Sequence, residues 1–179
     1  RGSAAAVRGC RRDPWPPTDL FTYQELIARL RPDWIVETGT GNGGRALFLA
    51  SVLELLGNGR VCSIDAQAAE QRPVHPRITY LEGKSGDADL HRRVRELVGD
   101  GANTLVILGS QPMTGPRART EFDAYHDLVP IGSYVIVERT VVNGHPVWPE
   151  HGPGPYAVDT ALERSGLTFN PTGYLKRIR

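Results

Sequence analysis

The residues best suited to chemistry lie in one short run, Val36-Glu37-Thr38-Gly39-Thr40-Gly41-Asn42-Gly43-Gly44. It follows the apolar residues Trp34 and Ile35 and precedes a helix-forming stretch over residues 45–53. A strand that breaks into glycines and opens a helix exposes backbone N–H groups, which the helix N-terminus aims at a bound ligand. Such turns serve dinucleotides, phosphates and S-adenosylmethionine alike, and some are only tight turns. Two details narrow the choice. No Lys-Ser or Lys-Thr pair closes the loop as a Walker motif requires, and Glu37 sits in the strand end, where a phosphate loop seldom carries an acid. A second strand over residues 60–65 then ends in Asp65, which could accept hydrogen bonds from both ribose hydroxyls. Adenosine binding is the reading that fits.

Within that reading Gly39, Gly41 and Gly43 permit close approach of a ligand, and Glu37 could bind its ammonium group or hold the loop by accepting backbone N–H bonds. Gly83-Lys84-Ser85-Gly86-Asp87 follows the third strand at the adenine end. Ser85 or Asp87 could contact the base, or equally cap the next helix.

The elements that must position these groups follow from hydrophobic pattern. Thr18 or Asp19 caps a helix running to about Leu30, with Leu20, Tyr23, Ile27 and Leu30 on one face, and Arg31-Pro32 ends it. Residues 78–83, 104–108 and 134–138 are short β-branched runs without alternation, the mark of strands covered on both faces. Helical patterns over 89–98 and 117–128 separate them, so the expected fold is α/β with a doubly wound, mostly parallel Rossmann-like sheet. Residues 66–73 are too short and proline-limited for more than a brief helix. Residues 143–155, rich in Gly, Pro and His, form a long loop after the fifth strand and should border the substrate pocket, with a helix over 156–165 beyond it.

Composition sets the outer bounds. At 179 residues with 40% apolar content, the chain suits one core-forming domain over residues 19–179, preceded by a loose arm over 1–18 in which Arg1-Gly2-Ser3 reads as a cloning remnant. The net charge is +1, so no general field favours nucleic acid or an anionic membrane, and small neutral ligands fit better. Cys10 and Cys62 give neither a disulfide framework nor a metal spacing, and Cys62 reads as a small buried apolar side chain. With no bilayer-spanning run and no leader pattern, a soluble cytoplasmic protein is expected. No Ser-His-Asp order, zinc spacing or basic-aromatic stripe points to hydrolysis, zinc chemistry or RNA binding.

Several segments recur in the same order in a known group: Asp19-Leu20-Phe21-Thr22-Tyr23-Gln24-Glu25-Leu26-Ile27, the Glu37 to Gly44 loop, Val142-Asn143-Gly144-His145-Pro146-Val147, Gly152-Pro153-Gly154-Pro155 and Thr168-Phe169-Asn170-Pro171. From about residue 14 onward the chain resembles the cephalosporin hydroxylase and rhamnosyl O-methyltransferase family. The resemblance implies a class I S-adenosylmethionine-dependent methyltransferase fold and the tailoring of antibiotics and sugars. It also implies that a strand should precede residues 167–170; here Ser165-Gly166 follows the expected helix almost at once, so one C-terminal edge strand is expected to be missing. An exposed edge must be covered or paired, which suggests a homodimer or another partner subunit.

The same resemblance raises the question of a metal. In the family, an Asp-Ser-Asp-His run ends the fourth strand and Glu-Asp the fifth, and their carboxylates hold a divalent cation. This chain has Gly109-Ser110-Gln111-Pro112 and Glu138-Arg139 instead, so only Glu138 keeps a carboxylate. Magnesium needs several oxygen ligands, and a neighbouring guanidinium repels it. No catalytic metal is therefore expected, and Arg139 either pairs with Glu138, binds an anionic substrate group or turns to solvent. If the two strand ends still converge, Gly109→Asp with Arg139→Asp should restore metal-dependent stabilisation.

His145, in the retained Asn-Gly-His-Pro loop, ranks first for substrate contact ahead of His151 and His126; His126 and His75 read as structural or solvated. Gln111 could orient a substrate hydroxyl, and Trp148 and Tyr156 could wall the acceptor pocket. The expected function is metal-independent O-methylation of a sugar or natural-product hydroxyl in antibiotic or secondary-metabolite biosynthesis, with S-adenosylmethionine as cofactor and a small-molecule acceptor. A second possibility is a methyltransferase fold that has lost methyl transfer and serves as a partner subunit or catalyses cyclisation or elimination.

Overall fold

The structure, a computed structural model, describes residues 17–67, 71–111, 114–140, 170 and 173–178. Five strands run parallel: β1 (Trp34–Thr38), β2 (Arg60–Asp65), β3 (Ile78–Glu82), β4 (Thr104–Leu108) and β5 (Tyr134–Val137). A short β6 (Tyr174–Lys176) closes the sheet antiparallel to β5, giving the order β3-β2-β1-β4-β5-β6. The chain leaves β1 toward β2 and β3, then returns to the other side of β1 to lay down β4 and β5. The crevice between β1 and β4 is thus the switch point at which open α/β sheets bind ligands.

Helices cover both faces, as the absence of alternation in the strands requires. On one face, α1 (Pro17–Leu30) and α2 (Gly44–Leu56) bury Tyr23, Ile27, Leu49 and Leu53 against Ile35, Ile107 and Ile136. On the other, α3 (Ala88–Val98) and α4 (Gly115–Tyr125) bury Leu90, Val94 and Tyr125 against Val36, Cys62, Val106 and Val137. This two-residue period decides where the polar residues at the strand ends go. Glu37 continues the face of Ile35 and Glu138 the face of Ile136, both under α1 and α2; Thr38 continues the face of Val36, toward α3 and α4. Cys62 is buried as expected, and burial pushes its thiol up to about 12.

Boundaries moved slightly. α3 begins at Ala88 because the Asp87 side chain accepts from the backbone N–H of Asp89 at 3.2 Å, so Asp87 takes the capping role. The helix expected over 117–128 starts at Gly115 under a Thr114 cap and tightens into a 3-10 turn at His126–Leu128. His126 stacks on Phe122 at that turn, with ring centroids 5.0 Å apart, and His75 pairs with Glu54 at 3.1 Å; both are structural. No regular element occupies residues 71–77. The helix expected over 156–165, and the place of the expected missing strand, lie outside the described residues.

Candidate active site

A cleft of about 170 Å³ opens at the C-terminal ends of β1, β2 and β4. Its floor is the glycine turn after β1, where Gly39 and Gly41 take positive φ. Gly39 cannot be replaced: its φ is +77°, and a Cβ there would overlap the carbonyl of Gly109. Asp65 forms the adjoining wall, its Oδ2 accepting the Gly41 N–H at 2.8 Å and its Oδ1 the Gln67 N–H at 3.2 Å. A fixed carboxylate beside a glycine backbone is the arrangement that receives a ribose. Ser85 lines the opposite side, and Gln111 and Arg117 stand at the rim, with the Gln111 carbonyl accepting from Arg117 Nη1 at 2.9 Å. Arg139 completes the lining at φ +59°, its backbone N–H donating to Asn170 Oδ1 at 2.7 Å.

Behind the glycine turn lies a buried charge cluster. The Arg45 guanidinium donates through Nε to Glu37 and through Nη1 to Glu138, while Nη2 reaches the carbonyls of Thr38 at 2.8 Å and Gly39 at 3.3 Å. Arg45 and both carboxylates are 0–1% exposed. Ser63 Oγ donates to the other Glu37 oxygen at 2.6 Å, and Tyr23 Oη to Glu138 Oε1 at 2.7 Å. Asn170 Nδ2 in turn donates to Tyr23 Oη at 3.1 Å. Burial opposes the Arg45 charge, yet Glu138 and Glu37 outweigh it and hold the guanidinium above its ordinary range. For Glu138 burial wins over Arg45 and Tyr23 and raises its pKa, and burial followed by Glu138 raises that of Tyr23.

A second buried acid, Glu121 on α4, sits on the opposite face of the sheet. It accepts from Thr38 Oγ1 at 2.9 Å and from Ser85 Oγ, and Thr38 Oγ1 accepts from the Gly109 N–H at 3.0 Å. Ser85 is therefore committed as a donor to Glu121, and it accepts from Ser110 Oγ at 3.4 Å.

These positions revise several readings. Glu37 accepts from a guanidinium and a hydroxyl rather than from backbone N–H groups, and both its oxygens are engaged inside the core. Glu138 pairs with Arg45 and Tyr23, so of the alternatives open to Arg139, pairing with Glu138 is not the one found. Arg139 lies instead at the cleft with Gln111, Ser85, Asp65, Gly39 and Gly41. Gly43 sits one step back, capping α2 at φ +81°. His145, Trp148, His151 and Tyr156 lie outside the described residues.

Sequence reasoning missed Arg45, Tyr23, Thr38 and Glu121. One signal was available for Arg45: a cation in the first turn of an otherwise apolar helix opposes the helix dipole and needs a partner. Glu121 falls on the buried stripe of α4 with Ala118 and Tyr125, a spacing that places an acid in the core.

A model of the Rhamnosyl O-methyltransferase/CmcI family matches residues 15–178. The rhamnosyl O-methyltransferase of Mycobacterium leprae (strain TN) is 29% identical over 178 residues, covering 89% of this chain and 78% of that protein. That of Mycobacterium tuberculosis (strain ATCC 25618 / H37Rv) is 26% identical over 179 residues, with 89% and 73% covered. Among solved structures, apo CmcI-N160 superposes with a TM-score of 0.67 at 20% identity, over 91% of this chain and 72% of that one. MycE methyltransferase from the mycinamycin biosynthetic pathway, solved with Mg and SAH, gives 0.58 at 21% identity over 77% of this chain; the match spans 35% of MycE, about a third of its length. The shared fold is that of class I S-adenosylmethionine-dependent methyltransferases. Because the family model matches all but the ends of the sequence, residues 15–178, the chain belongs to the Rhamnosyl O-methyltransferase/CmcI family.

Proposed function

We propose that this chain is an S-adenosylmethionine-dependent O-methyltransferase that acts on a hydroxyl of a sugar or natural product and works without a divalent cation. The observation that carries the reading is Asp65 held against the Gly41 backbone at the switch-point cleft. Asp65 would take the ribose hydroxyls, the Gly39–Gly41 turn the methionine end, and Ser85, through the lone pair that Ser110 leaves, the exocyclic amine of adenine. The cofactor supplies an electrophilic methyl group on a sulfonium. The acceptor oxygen must lie in line with that methyl and lose its proton, which asks the chain for an orienting group and a base. Gln111 at the rim can hold the hydroxyl but cannot take the proton; His145 is our candidate for that step, and Arg139 for an anionic group on the acceptor.

A dication does not suit the donors at these strand ends. Glu37 and Glu138 both accept from Arg45, and position 109 is glycine. The names of the relatives suggest the substrates to try first: rhamnosyl compounds and mycinamycin VI.

Titration calorimetry with S-adenosylhomocysteine tests the cofactor site. Saturable binding, weakened at least ~10-fold by Asp65→Ala, is the expected result, and no heat at millimolar ligand overturns the reading. Mass spectrometry of the acceptor panel then tests for the gain of one methyl.

A further inference from the structure

We propose that the Arg45 guanidinium is the resident cation of this site: it occupies the space where the ends of β1, β4 and β5 converge and bars a divalent ion from Glu37 and Glu138. The inference deepens the cation-independent reading above and rests on it for the identity of the cleft. Three strand ends carry the argument. Glu37 is the last but one residue of β1 and Glu138 follows β5, and one planar fork joins them through Nε and Nη1. Gly109, following β4, faces the same point. A Cβ at that position would overlap Glu138 Oε2 and stand 2.7 Å from Arg45 Nη1. Glycine at 109 and arginine at 45 are thus a matched pair, because a carboxylate at 109 has no room while the guanidinium is in place.

The chemistry of the donors agrees. Magnesium takes near-octahedral oxygen ligands and depends on one or two carboxylates for its anchor. Here both available carboxylates already serve a cation, and that cation is bonded through Nη2 to the Thr38 and Gly39 carbonyls as well. A guanidinium has no acceptor atom and keeps its charge at every accessible pH. Arg45 therefore does two things at once: it balances the converging acids and sets the posture of the turn that floors the cleft. Buried behind the turn, it acts through the carboxylates and carbonyls it holds and is a positioning residue.

The deciding experiment follows thermal unfolding of the full chain in EDTA and in millimolar Mn²⁺, with S-adenosylhomocysteine titrated in parallel. The wild type should melt at the same temperature in both. Arg45→Ala, which leaves two facing acids without their cation, should melt lower in EDTA and recover by about 5 °C or more with Mn²⁺. Arg45→Ala with Gly109→Asp should respond more strongly, and Gly109→Asp alone should respond to no metal. Mn²⁺ stabilisation of the wild type, full stability of Arg45→Ala in EDTA, or the same metal response in Gly109→Asp as in the double variant would each overturn the proposal. Should Arg45→Ala not be recovered, Arg45→Met with Glu37→Gln and Glu138→Gln decides: recovery of a folded protein shows that charge balance is the role of Arg45, and failure shows that its shape is. Failure of charge balance overturns the proposal. Absent S-adenosylhomocysteine binding with metal-blind melting would instead strike the functional reading and leave this one standing.

Discussion

Two buried acids flank the same strand end and are kept in the core by different means. Glu138, under α1 and α2, shares a guanidinium with Glu37 and accepts a tyrosine hydroxyl; Glu121, on α4, accepts from two hydroxyls, Thr38 and Ser85. Thr38 joins the two stations, giving its carbonyl to Arg45 and its hydroxyl to Glu121. The difference teaches what each face is for. The arginine station locks the strand ends and the glycine turn behind the cleft, and loss of its cation strands two charges. The hydroxyl station reaches the cleft wall through Ser85 and fixes which way that hydroxyl points, so changing it alters what the wall offers to a ligand.

The contrast can be broken first at its strongest point. Arg45→Ala leaves two carboxylates in a desolvated pocket and should cost about 3–5 kcal/mol in denaturant unfolding; a cost below 1 kcal/mol would mean the acids are solvated by something other than the guanidinium. Tyr23→Phe removes one donor from an ionised acceptor while keeping the ring in the core, for an expected loss of about 2 kcal/mol. On the other station, Glu121→Gln keeps one acceptor oxygen for the two hydroxyls and should cost only about 1 kcal/mol. If Glu121→Gln proves more harmful than Tyr23→Phe, the ranking of the two stations is reversed.

The smallest effect is in pH dependence. Glu138 has a raised pKa in the folded protein, so its contribution to stability is fully present below the unfolded carboxylate value of about 4.3 and falls as pH climbs through the folded one. Glu138→Gln lacks that decline. Whatever its offset, its melting temperature relative to wild type should improve from acid toward neutral pH, and parallel profiles would show that Arg45 fully cancels the cost of burial.

Much of this architecture was legible in the residues. Unalternating β-branched runs announced strands buried on both sides, and the glycines after Val36, with Asp65 at the end of β2, located the cleft. The chemistry of those positions required it: glycine permits the positive φ that the turn takes at Gly39, and an acid following a parallel strand faces the switch point. Gly109, Gln111 and Arg139 stand at the strand ends where the family resemblance led us to expect acids.

The surroundings of the acids at the strand ends were decided in three dimensions. A strand apolar on both faces carries no label saying which helix will cover which side, so nothing in the pattern around Glu37 or Glu138 told that both would turn toward α1 and α2. Register supplied the answer, with Ile107 of β4 standing between Glu37 of β1 and Ile136 of β5. The sequence alone determined a parallel sheet, a glycine turn and an acid at the end of β2 beside it, because each depends on local conformation and period. Only the tertiary structure determined that Arg45 meets Glu37 and Glu138 while Arg139 lines the cleft, because the pairing of buried charges depends on which groups packing brings within reach, not on which are neighbours in the chain.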